Sequence, residues 1–491
     1  MTIGSLWTSL HSNISNLYKP PHSSQLTPIY VLIYLESLCT FSFGLCFTLF
    51  LSTDFGLDDI LAGILFGCWD ALSTIGTLFT GFLMDKIGVG KSLRVGFFIT
   101  LVARIIIFVT THTGILCIAI IILSLGSCLC SPVLTICIKK ATTEDEECRR
   151  FAFGLYYVIM NIAALCSGPL VDICSRMVLR STVQDKQQQT SSDWNLSSYR
   201  LVLLCSIISN IMGLCITQYI NFEKTTSPSH TLIQMTEDEI INDLNHSSEE
   251  DDDDTSASPS ESFTWMNLYE TIQSKAFLRF ITLCIITINI QTMFQHFDAT
   301  LPKYLIRRFG EQVSYGSIFS INPAIIILLV PFISAWTSHI HPLLLIHHGS
   351  YVSAISVFFM VLWMSIPSSI VFMLVWSIGE AIWSPRLVDY LVSMSTEGKE
   401  GTFMALSSVP LFVAKLPVGW LSGYLLESYC PENSHDDNCH GTWIWLIISL
   451  FTMTSPILLT IFWRYLSQQN VSKEDLPDSC TRIELESLQS T

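Results

Sequence analysis

The chain has 491 residues, of which 50% are hydrophobic and only 13% charged, and its mean hydropathy is +0.49. Soluble domains carry about 25% charged residues, so a water-facing surface could not be covered here, whereas a lipid-facing one needs no such cover. The net charge of −16 is concentrated in one acidic stretch and no basic patch exists, which argues against a nucleic-acid partner.

Residues 1–28 are polar with no cleavable signal pattern, so they read as an N-terminal tail ahead of a retained first helix. Apolar runs follow at about 29–51, 58–83, 93–111, 114–138, 151–174 and 199–220. They resume at about 277–299, 313–335, 342–364, 368–393, 402–427 and 441–466. A membrane-spanning helix takes about 20 mostly apolar residues, so twelve use roughly 240, about half the chain. The expected fold is an all-α, polytopic membrane protein with twelve transmembrane helices in two pseudo-symmetric six-helix bundles, residues 29–220 and 277–466. Between them, 221–276 is expected to be an acidic cytosolic linker. Its Glu237, Asp238, Glu239, Glu249, Glu250 and Asp251 to Asp254 cannot bury a core, and Trp265 to Lys275 reads as a short interfacial helix. Residues 467–491 read as a cytosolic C-terminal tail.

Most of the sixteen cysteines, among them Cys39, Cys46, Cys117, Cys128, Cys166, Cys205 and Cys284, sit singly in apolar runs and act as small hydrophobes. Cys430 and Cys439 bracket a polar loop and are candidates for a disulfide if that loop is non-cytosolic. No metal-ligand spacing is present. His339, His341, His347 and His348 gather at an expected cytosolic turn, where membrane-surface histidines are the plainer reading.

Lys and Arg bias sets orientation. With both termini cytosolic, Lys86, Lys91, Arg94, Lys139, Lys140, Arg149, Arg150, Lys224, Lys275, Arg279 and Lys399 all lie inside. Arg176, Arg180 and Lys186, and again Lys303, Arg307 and Arg308, stand as exceptions in outer loops. The sequon Asn195-Leu196-Ser197 and the Cys430/Cys439 loop both fall outside in this arrangement, where glycosylation and a disulfide are compatible. Plasma membrane and endolysosomal or vacuolar membrane are equally open.

Gly81-Phe-Leu-Met-Asp85-Lys86-Ile-Gly88-Val-Gly90-Lys91 resembles the signature that the major facilitator superfamily carries between helices 2 and 3. Gly81 permits close helix approach, Asp85 can accept from a facing helix N-terminus or basic side chain, and Gly88 turns the chain. Lys86 and Lys91 hold the loop in the cytosol. Within that superfamily the chain is distantly similar to the proton-dependent oligopeptide transporter family. Phe153-Gly-Leu-Tyr156-Tyr157-Val-Ile-Met-Asn161-Ile-Ala-Ala is similar to its helix 5 signature, Phe297-Asp298-Ala-Thr300 to its helix 7 pattern, and Asn322-Pro323 to its helix 8 pattern. Gly379-Glu380 followed by Ser384-Pro385 resembles its helix 10 motif, whose acidic residue helps bind substrate. The chain departs from the family in two places. Glu36 fits the first acid of the helix 1 motif, but Cys39 and Thr40 take the other two positions, and Ser131 replaces the helix 4 lysine.

A charge at mid-bilayer costs about 2.5–3.5 kcal/mol on insertion scales, so each needs a partner or a watery cavity. The candidates are Glu36, Asp70, Arg104, Asp298, Glu380, Arg386, Asp389 and Lys415. Glu36 reads either as a carrier of a coupling proton or as the partner of a basic group. Asp298, with Gln291, Gln295 and His296 close by, reads as a hydrated cavity wall or as polarity near the membrane surface. Arg386 and Asp389 are three apart and can pair locally, leaving Glu380 to face cargo or a cation from another helix. Lys415, flanked by Pro410 and Pro417, reads as a cargo or proton-linked group, or as a lock with Glu380 or Asp389. Asp70 and Arg104 are expected to partner one another or cytosolic-loop residues. Tyr34, Tyr156, Tyr157, Trp376 and Trp383 could line a pocket, the two Trp serving equally well as interface anchors.

These residues describe a secondary active transporter of a small solute, working by alternating access. No P-loop and no resident cofactor is indicated. Buried carboxylates point to protons as the coupling ion, with facilitated diffusion open. A transporter-like receptor or adaptor without transport is the alternative. A membrane enzyme would need a reactive set clustered at one depth.

Overall fold

A backbone crossing lipid must satisfy its own polar groups, and the helix does so within one segment. The computed structural model describes residues 23–142, 146–188, 197–219, 275–337, 340–393, 400–432 and 439–467, and all regular structure among them is helical. The acidic linker except for its last two residues, the sequon Asn195, His339, residues 1–22 and residues 468–491 lie outside the described residues, while residues 23–28, expected in the N-terminal tail, begin the first helix.

Before the linker come α1 (Ser23–Phe55), α2 (Asp59–Ile87), α3 (Val89–Val109), α4 (Thr113–Ala141), α5 (Glu146–Gln188) and α6 (Ser198–Ile216). After it, α7 runs in three pieces (Lys275–Gln291, Met293–Ala299, Leu301–Phe309). Then come α8 (Tyr315–Trp336), α9 (Pro342–Ser356 and Phe358–Leu362), α10 (Ile366–Ser393), α11 (Glu400–Tyr429) and α12 (Gly441–Ile461). Eleven are long and apolar enough to cross a bilayer. The twelfth, α11, has 30 residues, about 45 Å at the α-helical rise. Six helices therefore precede the linker and six follow it. We call the face reached by the end of α1 and the start of α2 the distal face, and the opposite one, where α1 begins and α12 ends, the proximal face.

Local chemistry sets the ends. Asp58 caps α2, accepting from the Leu61 amide at 2.7 Å. Gly88 takes φ +85° between α2 and α3, so it turns the chain as its place in the signature requires. Gly81, Asp85 and Lys86 ride the last turns of α2 and Lys91 the first turn of α3, while the Asp85 side chain lies outside the described residues. In α7, Pro302 has no amide to give the Asp298 carbonyl, and the helix breaks beside it.

Two expected loops are helical instead. Arg176, Arg180 and Lys186 lie on an extension of α5 that continues to Gln188, and Lys303, Arg307 and Arg308 lie on the last piece of α7. Trp376 and Trp383 are buried, Trp383 donating to the Ser353 hydroxyl at 3.1 Å, so neither is an interface anchor. Cys430 and Cys439 form a disulfide.

The bundles meet along two seams of glycine. On α2 and α11, a Cβ on Gly63 would fall on the Gly419 carbonyl, and one on Gly423 on the Asp59 carbonyl. A Cβ on Gly67 would lie 2.9 Å from the Lys415 carbonyl oxygen. On α5 and α8, Gly168 and Gly316 face one another equally closely. Small residues let backbones touch where lipid supplies no hydrophobic drive between helices. Both seams lie in the distal halves of their helices.

Candidate functional site

Polar side chains converge in two layers. The first is mid-membrane. Asp70 lies about 16 Å along α2 from its distal end, and Lys415 is near the middle of α11. Lys415 Nζ donates to Asp70 Oδ1 at 2.6 Å and to Thr74 Oγ1 at 2.7 Å, while Gln295 of α7 donates to Asp70 Oδ2 at 3.2 Å. Lys415 thus pairs with Asp70, not with Glu380 or Asp389. Asp298 stands on the same α7 piece as Gln295, its Oδ2 packed 3.5 Å from where a Cβ on Gly44 of α1 would be. It has neither ion pair nor hydrogen bond with any other described residue.

Across the layer, Asn322 of α8 donates to Glu380 Oε2 at 2.6 Å and to the Ser377 hydroxyl at 3.1 Å. Tyr157 of α5 is an electrostatic neighbour of Glu380 from the other bundle, and Asn161, one turn on, donates to the Tyr157 carbonyl at 2.9 Å. Tyr156 lies beside the Ser131 hydroxyl, where the resembling family has its lysine. The rings of Phe294, Phe297, Phe372 and Trp376 pack edge to face as an apolar wall, Phe297 preceding Asp298 in the chain and Trp376 one turn before Glu380.

Two candidates stand apart. Glu36 is buried within the first bundle, its Oε2 3.8 Å from the Arg104 guanidinium of α3. Arg104 therefore partners Glu36, and the expected Asp70–Arg104 pair is not formed. Arg386 reaches Asp389 at 3.2 Å, as local spacing predicts, and also the Ser334 carbonyl at 2.9 Å and the Thr337 hydroxyl at 3.2 Å, tying it to the proximal end of α8. Among the described residues no group of three or more His, Cys, Asp or Glu is placed to hold a metal ion.

The second layer is distal. Asp59 at the start of α2 accepts from Lys303 Nζ at 2.8 Å and from both Arg307 terminal nitrogens at 2.7 and 2.8 Å. Lys303 also donates to the Ser52 hydroxyl of α1 at 2.6 Å and Arg307 to the Cys430 carbonyl at 2.8 Å. Asp172 of α5 accepts from the Gly316 and Ser317 amides at 2.9 and 2.8 Å, capping α8 from the other bundle. Asp54 accepts from Arg200 Nε and Ser197 Oγ, joining α1 to α6. A cavity of about 510 Å³ opens beside this clasp, lined by Ser52, Tyr199, Lys303, Arg307, Glu311 and Glu432 among others. Composition hid the clasp because its basic members read as loop charges. The i, i+4 glycine pairs Gly63/Gly67 and Gly419/Gly423 were the visible signal that α2 and α11 touch.

The family model described as Major Facilitator Superfamily matches residues 29–414. No curated protein matches the sequence. Among solved structures, a POT family transporter in complex with 5-aminolevulinic acid superposes with a TM-score of 0.65 at 14% identity, covering 90% of this chain and 96% of that one. A POT family transporter in complex with a thioalcohol-conjugated peptide gives 0.66 at 14%, again over 90% and 96%. A structure addressing substrate recognition in proton-dependent oligopeptide transporters gives 0.66 at 15%, over 91% and 98%. At these identities the likeness is one of fold.

Proposed function

The chain belongs to the Major Facilitator Superfamily and is a multi-pass secondary transporter, and from that premise we propose that it couples proton movement to transport of a small solute bearing an amine. The observation that carries the reading is the pair Asp298 and Glu380, two mid-membrane carboxylates with no basic partner among the described residues. An ionised carboxylate left alone at that depth is expensive, so each holds either a proton or a cation brought by cargo. Exchange of one for the other ties solute to proton. Lys415 does not neutralise them, being engaged by Asp70.

Tyr157, Asn161 and Asn322 supply uncharged partners around Glu380, and the aromatic wall excludes water. The distal seams and clasp close one side, and rocking of the bundles exposes the layer to each side in turn. Both termini are placed in the cytosol. Two of the distal cations, Lys303 and Arg307, are consumed in buried pairs with Asp59, which weakens the distal count against Lys86, Lys91, Arg94 and the other proximal cations. The structural neighbours crystallised with 5-aminolevulinic acid and with a conjugated peptide suggest the first cargoes to try.

The test is solute-dependent proton uptake into proteoliposomes across a panel of amino acids, short peptides, 5-aminolevulinic acid, sugars and organic anions. An amine-bearing solute should drive acidification that Glu380→Gln and Asp298→Asn each abolish. Binding without flux in the unaltered chain would favour the receptor alternative, and flux indifferent to both substitutions would discard the assignment of the site.

A further inference from the structure

A second site lies at the proximal face, away from the transport layer. A cavity of about 350 Å³ opens between α9 and α12, lined by Leu344, His347, His348, Thr460, Ile461, Trp463 and Arg464. Four of these side chains, His347, His348, Trp463 and Arg464, carry nitrogen that can donate to an anion, and no acid lines the cavity. His348 is exposed and its Nδ1 bonds the Leu344 carbonyl at 2.8 Å, which leaves Nε2 as its second ring nitrogen for a ligand, while His347 Nε2 meets Thr460 Oγ1 at 2.9 Å. The buried Nδ1 of His347 has no hydrogen-bond partner. Tyr351 hydrogen-bonds Thr460 at 3.0 Å and Trp463 packs edge-on to His347, so the basic groups are held on a fixed frame.

Depth identifies the ligand class. α9 begins at Pro342 and the α12 span ends at Ile461, so the histidines lie about 7–9 Å inside the start of α9. Headgroups occupy roughly 5–8 Å beyond each side of the hydrocarbon core, so the Arg464 end of the cavity, just past the α12 span, lies at the level of lipid phosphates and its histidine end dips below them toward the acyl chains. Exposed Leu344 and Ile461 form its apolar lining, and toward mid-membrane the helices carry further exposed apolar side chains, Ile355 on α9 and Ile457 on α12. A free anion has no use for such a strip; an acyl chain does.

We propose that this groove binds the phosphate headgroup of an anionic membrane phospholipid, with Arg464 and His348 on the phosphate and the acyl chains along Ile457, Ile461 and Ile355. Basic pockets between helices on the cytosolic side are an established form of lipid recognition, and the sidedness proposed above puts the groove in the leaflet richest in anionic lipid. The site is independent of the Asp298/Glu380 layer.

Native mass spectrometry of the full-length chain in detergent tests it, with phosphatidylglycerol, phosphatidylcholine and inorganic phosphate as separate arms. Phosphatidylglycerol should bind at least tenfold more tightly than phosphatidylcholine. Arg464→Gln should weaken it about fivefold, the scale of one basic side chain at a charged membrane surface. His348→Gln added to it should bring binding to the phosphatidylcholine level. Ile461→Asn, at an exposed position, should weaken the lipid and leave unfolding temperature unchanged. Equal binding of the two lipids, or phosphatidylglycerol adducts unmoved by Arg464→Gln, would overturn the proposal. Displacement of the lipid by millimolar phosphate, together with indifference to Ile461→Asn, would also overturn it by showing a free-anion site.

Discussion

Substitution of Asp59 by Asn isolates the distal clasp. Asp59 is the anion for two cations, Lys303 with 2% and Arg307 with 9% of the side chain exposed, at 2.7–2.8 Å. Removing one member of a buried ion pair costs about 3–5 kcal/mol, because an uncompensated charge remains in low dielectric. Here two such charges would face each other. Replacing the whole pair with apolar groups is close to neutral, so Lys303→Met added to Asp59→Asn should recover most of the loss. Arg307 keeps the Cys430 carbonyl, and some deficit should persist. If the distal-closed arrangement alone carries the loss, its population relative to a distal-open one falls by a factor of about 10² to 4 × 10³ at 1.4 kcal/mol per tenfold. Hydrogen exchange by mass spectrometry reads this directly at residues 48–62 and 301–309. Asp59→Asn should speed exchange in both segments together and lower the unfolding temperature, and the double variant should reverse both. Unchanged exchange in Asp59→Asn, or a double variant no better than the single, would refute the argument that Asp59 closes this face.

Three further outcomes follow from the same geometry. Gly168→Ala puts a methyl into the Gly316 carbonyl, and in a seam of backbone against backbone neither side can step aside. It should lower the unfolding temperature by several degrees, whereas Gly154→Ala, with open space around it, should not. Lys415→Met strands Asp70 beside Asp298 and should cripple uptake, and Asp70→Asn combined with Lys415→Met should restore stability, read by thermal unfolding, without restoring transport rate. Reduction of Cys430–Cys439, a bridge with nine residues of sequence separation, should remove about 2.5–3 kcal/mol of loop-closure stabilisation on the chain-entropy account. Unfolding temperature with and without reductant measures it, and the Cys430→Ser/Cys439→Ser variant should show no reductant effect.

Hydropathy located the twelve helices because lipid punishes any long apolar run that does not span. It erred at the distal ends of α5 and α7. There helices run on past the apolar segment, and on α7 Lys303 and Arg307 are paired with Asp59; hydropathy cannot see a paired charge. The signature at Gly81 to Lys91 was legible because Gly88 needs a positive φ that few other residues accept. The intramembrane charges were legible as a set, since each is costly wherever it sits. Their partners were not, because pairing across bundles depends on which faces of α2, α7 and α11 meet. Periodicity gave Arg386–Asp389, three apart on one helix, but could not give Lys415–Asp70, 345 residues apart, or Glu36–Arg104. Glu380 gained weight from what is missing: its neighbour Asn322 offers a hydrogen bond and no charge.

The glycine seams have a mechanical consequence. Interdigitated side chains would have to withdraw and re-seat whenever two helices rolled against each other, at the cost of many rotamer changes. Bare peptide planes have nothing to withdraw. Gly63, Gly67, Gly419 and Gly423 on one flank and Gly168 and Gly316 on the other therefore work as smooth bearings, setting how far the halves can turn but offering little friction. What decides the resting position is then left to a few carboxylates near the rim, so the energy needed to flip the carrier can be tuned by single substitutions without rebuilding its frame.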